Sequence, residues 1–195
     1  MSLHLANTIE VELSAINVLA ISPDGRLIAS GNEAGKVCIY AIESLQSAYE
    51  DYAIGDPAVS ALAWSFAAPA TLIVGDTWSR LHVLALENQA GTDHDGLARN
   101  RVSEIVDAGL GAIWTIDAYE HIVAIGGNKG IKVMEHKPGA SLSLISRLPP
   151  TGTPLVHPLA SCPNSVHIYD TETLFASYNE GCPHHIVAWN MANEE

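Results

Sequence analysis

The densest group of potential metal ligands in this sequence is Cys182-Pro183-His184-His185. A thiolate and an imidazole at this spacing could approach one metal ion, because both are common zinc ligands. However, Pro183 stiffens the segment, and no second pair of ligands lies near it in the sequence. The sequence therefore predicts a turn between two strands at this point, and no metal site.

Two pairs of a nucleophile and a base could meet in the folded chain, Cys162 with His157 and Ser65 with His82. Neither the cysteine nor the serine stands in the strand, sharp turn and glycine context that exposes a catalytic nucleophile. The glycines between residues 126 and 130 could suggest a phosphate-binding loop, but a hairpin pattern surrounds them and no helix follows. We therefore predict that the protein is not an enzyme and holds no cofactor.

The size and charge of the chain restrict its function further. Its 195 residues are enough for one domain with its own core. The 22 acidic and 9 basic side chains give a formal net charge of -13, which repels a phosphate backbone. We therefore expect no direct binding of nucleic acid. No apolar run is long enough to span a bilayer, so no membrane span is expected either.

The cysteines and the N-terminus indicate the cellular compartment. Cys38, Cys162 and Cys182 are an odd number in separate parts of the chain, which suits a reducing compartment better than a disulfide framework. The first residues, 1–5, lack the basic region and apolar block of a secretory signal. We predict an intracellular protein, cytoplasmic or nuclear.

A repeated pattern of short strands and tight turns runs through the chain. In the first copy, residues 16–40, Pro23 and Gly25 predict a hairpin, and Gly35 allows a second tight turn. Three strands in series with such turns form an antiparallel meander. The related copies span residues 59–84, 112–134 and 166–189, and more polar segments at 48–54, 102–106 and 142–146 could each add an outer strand.

This recurrence resembles the WD-repeat β-propeller family over residues 8–190. The Trp-Asp that usually ends the third strand in that family is replaced by Tyr40-Ala41, Leu84-Ala85, Met134-Glu135 and Trp189-Asn190. The resemblance therefore implies blades that lack most of the family's buried network of Asp, His, Ser and Trp and rely on apolar packing. The fourth copy is similar to the divergent WD repeats of mushroom-forming fungi.

The resemblance implies an all-β fold, a propeller of WD-repeat type with about four blades forming a partial ring. A closed four-bladed ring is the alternative. We expect a single propeller segment over residues 1–195, with its strands falling within 8–13, 15–54, 58–106, 111–147 and 165–190. A partial ring leaves apolar flanks on its first and last blades, which a second copy, a partner protein or further blades would cover.

The resemblance also implies a non-catalytic scaffold that presents its loops to a protein partner. The expected binding face consists of the turns between second and third strands and the connections that enter each first strand. Trp78 is the expected anchor, although it could instead lie flat over the blade edge. The candidate residues for partner binding are Glu33, Asp76, Trp78, Arg80, Lys129, Asn179, Glu180 and His184. The alternative function is a propeller enzyme or small-ligand binder that uses histidine and acidic side chains near the central channel.

Overall fold

A computed structural model describes residues 8, 14–65, 71–86, 98, 100–137, 139–148, 162–178 and 185–191. Within these residues the chain is all-β, with fifteen strands in four antiparallel sheets. Each sheet is a meander in which every strand pairs with the next one along the chain. We call the sheets blades 1 to 4. The prediction of an all-β propeller with about four blades is confirmed.

The strands follow one another in a simple order. Blade 1 consists of β1 (Ile16–Ile21), β2 (Leu27–Asn32), β3 (Lys36–Ala41) and β4 (Tyr52–Ala53). Blade 2 consists of β5 (Val59–Trp64), β6 (Thr71–Asp76), β7 (Arg80–Leu86) and β8 (Asn100–Asp107). Blade 3 consists of β9 (Ile113–Tyr119), β10 (Ile122–Gly127), β11 (Gly130–Glu135) and β12 (Ser143–Leu148). Blade 4 consists of β13 (Pro163–Ile168), β14 (Thr173–Tyr178) and β15 (His185–Asn190).

The turn between β1 and β2 shows how local sequence sets this geometry. The Ser22 hydroxyl donates to Asp24 Oδ1 at 2.6 Å and accepts the backbone N–H of Leu27 at 2.9 Å. Gly25 takes the left-handed conformation, with φ of 70°, and its N–H donates to the carbonyl oxygen of Ser22. The predicted hairpin is therefore present, and its own polar side chains close it.

The core of the protein lies between blades rather than within them. One buried cluster joins blades 1 and 2, a second joins blades 2 and 3, and a third joins blades 3 and 4. Ile39, Leu72 and Leu84 are almost fully buried in the first cluster, and each contributes about 1.5–3 kcal/mol by leaving water. We call the face of a blade on the side of the preceding blade in the chain its upstream face, and the opposite face its downstream face.

The first strands lie innermost. Strand β1 contacts β5, β5 contacts β9, and β9 contacts β13. Among the described residues, no strand of blade 4 makes a comparable contact with a strand of blade 1. Leu19 and Ile21 on the upstream face of blade 1 are 57% and 62% exposed. Continuous packing from blade 1 to blade 4 with a bare flank is the arrangement expected of a partial ring.

Several features predicted from the sequence lie outside the described residues. They are most of the strand predicted at 8–13 and the Cys182-Pro183-His184 segment, in which a turn is predicted. Within the described part of the chain, no helix is long and apolar enough to cross a membrane. The same part contains no group of three or more histidine, cysteine or acidic side chains arranged to hold a metal ion.

Candidate functional site

The turns between second and third strands lie at one end of the blades, each beside the connection that enters the first strand of its own blade. In blade 2, the N–H of Thr77 donates to the carbonyl oxygen of Ala58 at 3.2 Å, and in blade 3 the N–H of Asn128 donates to the carbonyl oxygen of Ala112 at 3.1 Å. The N–H of Glu33 donates in the same way to Ala15 in blade 1. These bonds assemble turns and connections into one face, which we call the turn face.

Asp76 organises the most elaborate of these turns. Its side chain is fully buried, and its Oδ1 accepts the backbone N–H groups of Trp78 at 2.8 Å and Arg80 at 2.9 Å. Asn32 closes the equivalent turn of blade 1, where its Oδ1 accepts the N–H of Lys36 at 2.9 Å. An Asp or Asn at this position replaces backbone partners that the tight turn cannot supply.

The second oxygen of Asp76 holds a buried polar network. Asp76 Oδ2 accepts Arg80 Nε–H at 2.7 Å and lies 3.2 Å from His82 Nε2. Because a carboxylate only accepts, His82 carries its proton on Nε2, and its Nδ1 accepts the Tyr52 hydroxyl at 3.1 Å. The resemblance implies that most of the family's buried network is missing and that the blades rely on apolar packing, yet blade 2 contains this buried polar network. Tyr52 comes from β4, so the network also joins blades 1 and 2.

The charges in this network are settled by burial and hydrogen bonding. Burial acts to raise the pKa of Asp76, but the bonds from Arg80, His82 and Trp78 outweigh it and hold that pKa below its usual value. Burial lowers the pKa of His82, although the neighbouring Asp76 carboxylate opposes this shift. At neutral pH the network therefore contains an ionised Asp76, a charged Arg80 and a neutral His82.

Trp78 stands at the tip of this turn and is 60% exposed. The guanidinium carbon of Arg80 lies 5.3 Å from the centre of its ring, within the range of a cation–π contact. Of the two arrangements considered for Trp78, the exposed one is present. The indole is thus open to solvent on a turn whose backbone and neighbouring cation are both fixed by Asp76.

Ser79 ties the turn to blade 3. It has a left-handed backbone, with φ of 75°, at the place where blade 1 has Gly35 with φ of 71°. Its Oγ accepts the N–H of Leu110 at 2.9 Å, and its carbonyl oxygen accepts the N–H of Ala108 at 2.7 Å. These two contacts offset the strain of a positive φ at a residue with a side chain.

A second exposed tryptophan on the turn face was not among the predicted site residues. Trp114, the second residue of β9, is 47% exposed, and its Nε1–H donates to Asn128 Oδ1 at 2.6 Å. The signal for it was the alternation of β9, in which the preceding Ile113 faces the core and Trp114 must face outward.

The other predicted site residues are distributed among the blades. Glu33 and Lys129 are exposed in the turns of blades 1 and 3. Asp76, Trp78 and Arg80 form a connected group in blade 2. Asn179, Glu180 and His184 lie outside the described residues.

Of the two nucleophile and base pairs considered from the sequence, the pair of Ser65 and His82 does not form. Ser65 lies at the opposite end of blade 2 from His82, and its buried Oγ is instead 2.7 Å from His136 Nδ1 in blade 3. Burial lowers the pKa of His136, and Glu104 opposes this shift. The Cys162 thiol is 3.9 Å from Asn128 Oδ1. His157 lies outside the described residues.

The comparison with known proteins identifies the fold of the chain. No family model and no curated protein matches the chain. Among solved structures, the chain is similar to U3-55K (TM-score 0.63, 16% identity, covering 90% of this chain and 46% of that one). It is also similar to the WD40 repeats of RRP9, with a TM-score of 0.64, 17% identity and coverage of 90% and 46%. A chain of the mitotic checkpoint complex matches with a TM-score of 0.67, 17% identity and coverage of 95% and 52%.

The chain thus spans about half the length of these solved propellers. At this level of identity the likeness concerns architecture alone, since one fold serves many functions. The four blades have the WD40 propeller fold.

Proposed function

We propose that this chain is a non-catalytic protein-interaction scaffold whose binding surface is the turn face, with Trp78 as its anchor. The observation that carries the proposal is the exposed indole of Trp78 on a turn fixed by the buried Asp76 carboxylate. Tryptophan is the residue type most enriched among the side chains that dominate binding energy at protein interfaces.

Preorganisation supports this assignment. The turn of Trp78 is held by Asp76 from below and by the bonds of Ser79 to the connection before blade 3. The backbone of this turn is therefore already ordered before a partner packs on the indole. Because Asp76 also holds the Arg80 side chain, binding has to order fewer mobile side chains, each of which costs about 0.5–1.5 kcal/mol. Trp114 adds a second aromatic side chain at the same end of the neighbouring blade.

The charge of the chain and its structural neighbours agree with a protein partner. A formal net charge of -13 disfavours nucleic acid as the ligand. One matched chain comes from the mitotic checkpoint complex, an assembly of proteins by its name. We also propose that residues 1–195 form a single propeller segment of an intracellular protein. The likeness of the fourth copy to fungal repeats stays a prediction.

The alternative function, an enzyme or small-ligand binder at the central channel, finds less support. It requires several histidine and acidic side chains that converge on the innermost strands. Among the described histidines only His167 lies on a first strand, where its Nδ1 is 2.9 Å from Oδ2 of Asp117 on β9. His82 lies on the third strand of blade 2, and His136 follows the third strand of blade 3. Their pKa values are lowered mainly by burial within blades, not by a shared ligand site.

The test replaces Trp78 and asks what binding is lost. A photoreactive group at position 78 identifies the proteins that contact the turn face, and Trp78→Ala is then compared with the wild type for retention of those proteins. Tyr169→Ala is the matched control, because Tyr169 is an exposed aromatic residue that follows β13 at the other end of the blades. We expect Trp78→Ala to weaken retention by at least about 30-fold, which corresponds to the roughly 2 kcal/mol of a hot spot. Equal losses for the two variants, or none, would refute the assignment.

A further inference from the structure

The three internal contacts between blades follow one structural rule. The first strand of blades 2, 3 and 4 begins with an apolar residue that precedes a register shift. That residue lies against a glycine on the second strand of the preceding blade. A Cβ added to Gly31 would overlap Val59 Cγ1, and one added to Gly75 would lie 2.7 Å from Ile113 Cγ2. The third contact places Pro163 Cγ 2.7 Å from a Cβ added to Gly126.

The upstream face of blade 1 repeats this rule, although no blade among the described residues contacts it. Ile16 pairs with Asn32 and precedes a register shift, as Val59 pairs with Asp76 and precedes one. The next two upstream positions hold Leu19 and Ile21, which match Leu62 and Trp64 of blade 2. Leu62 and Trp64 are buried against blade 1, whereas Leu19 and Ile21 are mostly exposed. Blade 1 therefore has a contact face of the internal type that no described strand covers.

The downstream face of blade 4 is the counterpart. Ser177 pairs with Ser165 and Ile186, as Gly75 pairs with Ala61 and Leu81 in blade 2. Leu81 is fully buried against blade 3, whereas Ile186 is 79% exposed. Phe175, on the same face of blade 4, is exposed as well. The described residues thus present one open upstream face, on blade 1, and one open downstream face, on blade 4.

We propose that a second copy of the chain covers both faces, with blade 4 of each copy packed on blade 1 of the other. Such a head-to-tail pair uses each open face once and closes by two-fold symmetry. Two copies of four blades give eight blades, within the propeller range of about 4 to 8. The assignment rests on continuity with the three internal contacts and does not depend on the turn face as a partner surface.

Ser177 is the position at which the proposed contact between copies differs from the three contacts between blades within one chain. The other three blades have glycine there, and the first residue of the next blade fills the space of its missing side chain. In the pair, Ile16 of one copy meets Ser177 of the other, so an extra Cβ and hydroxyl must be accommodated. Ser177→Gly removes this excess, and we expect it to tighten the pair by about tenfold.

The first test is the mass of the chain in solution, measured by light scattering over a range of concentrations. We expect the mass to approach twice 20.7 kDa as the concentration rises, and Ser177→Gly to move this transition to lower concentration. Leu19→Glu and Ile186→Glu place a charge on opposite open faces, and each is expected to weaken the pair by at least about 100-fold, since a buried unpaired charge is expensive. Ile105→Glu is the matched control, because Ile105 is an exposed isoleucine on outer strand β8.

Mixing the two charged variants identifies the head-to-tail arrangement. The Leu19→Glu chain retains an intact blade 4 face and the Ile186→Glu chain an intact blade 1 face, so a mixture pairs through one undamaged contact. We expect the mixture to associate more tightly than either variant alone. Monomers for both the wild type and Ser177→Gly would overturn the proposal. A dimer insensitive to Ile186→Glu, or a mass that grows past the dimer, would overturn it too.

Discussion

Replacing Asp76 by asparagine tests whether the buried carboxylate fixes the turn of Trp78. The amide keeps an acceptor for the backbone N–H groups of Trp78 and Arg80 but turns a donor toward Arg80 Nε–H and His82 Nε2–H. A lost hydrogen bond to a charged group costs about 1.5–3 kcal/mol. The Arg80 side chain is 33% exposed, so water recovers part of its loss. We therefore expect Asp76→Asn to lower the free energy of unfolding by about 2–3 kcal/mol.

The measurement is urea denaturation together with the melting temperature. For a chain of this size, about 2–3 kcal/mol corresponds to a melting temperature roughly 4–12 °C lower. The matched control is Asn32→Asp, because Asn32 closes the equivalent turn with a single bond from its Oδ1 to the N–H of Lys36. We expect this control to change stability by less than about 1 kcal/mol. If Asp76→Asn falls within the same range as Asn32→Asp, the charged network does not stabilise the turn and the reasoning is wrong.

Three further predictions concern burial, backbone strain and close packing. Burial lowers the pKa of His82 and His136, so the unfolded chain takes up protons before the folded chain does as the pH falls below about 6.5. The urea concentration at the midpoint of unfolding should therefore fall from about pH 7 to about pH 5.5. An unchanged urea midpoint would contradict this prediction. Ser79→Ala and Ser79→Gly both lose the hydrogen bond to Leu110, but only the alanine keeps the strain of a positive φ. Calorimetry should therefore find Ser79→Ala less stable than Ser79→Gly by about 1 kcal/mol. The reverse order would show that the backbone strain is negligible. Gly75→Ala places a Cβ 2.7 Å from Ile113 Cγ2. In urea titrations it should lower the free energy of unfolding by about 1–3 kcal/mol. Unchanged stability would mean that blades 2 and 3 can move apart without cost.

The fold could be predicted from the sequence because its determinants are local. The β1–β2 hairpin depends on residues within the six positions from Ser22 to Leu27, and its bonds are those that Pro, Asp and Gly favour in tight turns. Strand alternation and small residues at the ends of second strands repeat in every blade. Such signals need no knowledge of contacts between distant residues, so the meanders and their number follow from the sequence.

The polar network could not be predicted because its partners come from different strands and blades. Tyr52 and His82 are 30 residues apart, and only the packing of blade 1 on blade 2 brings the hydroxyl within 3.1 Å of the imidazole. The pairing of Ser65 with His136 spans 71 residues and joins blades 2 and 3. His82 is closer to Ser65 in the sequence than His136 is, but strand register places Ser65 and His82 at opposite ends of blade 2. Spacing along a chain cannot reveal which ends of two strands coincide.

The turn face and the open flanks are structurally independent, which allows their roles to be separated. The turn of Trp78 is stabilised by Tyr52 from blade 1 through His82 and by the connection to blade 3 through Leu110. Both supports lie at internal blade contacts, which are buried whether or not a second copy is present. Leu19 and Ile186 lie on the outermost faces of blades 1 and 4 and bond to neither support. Charge on a flank should therefore alter the mass of the particle while leaving capture at position 78 intact, and loss of the indole should do the opposite.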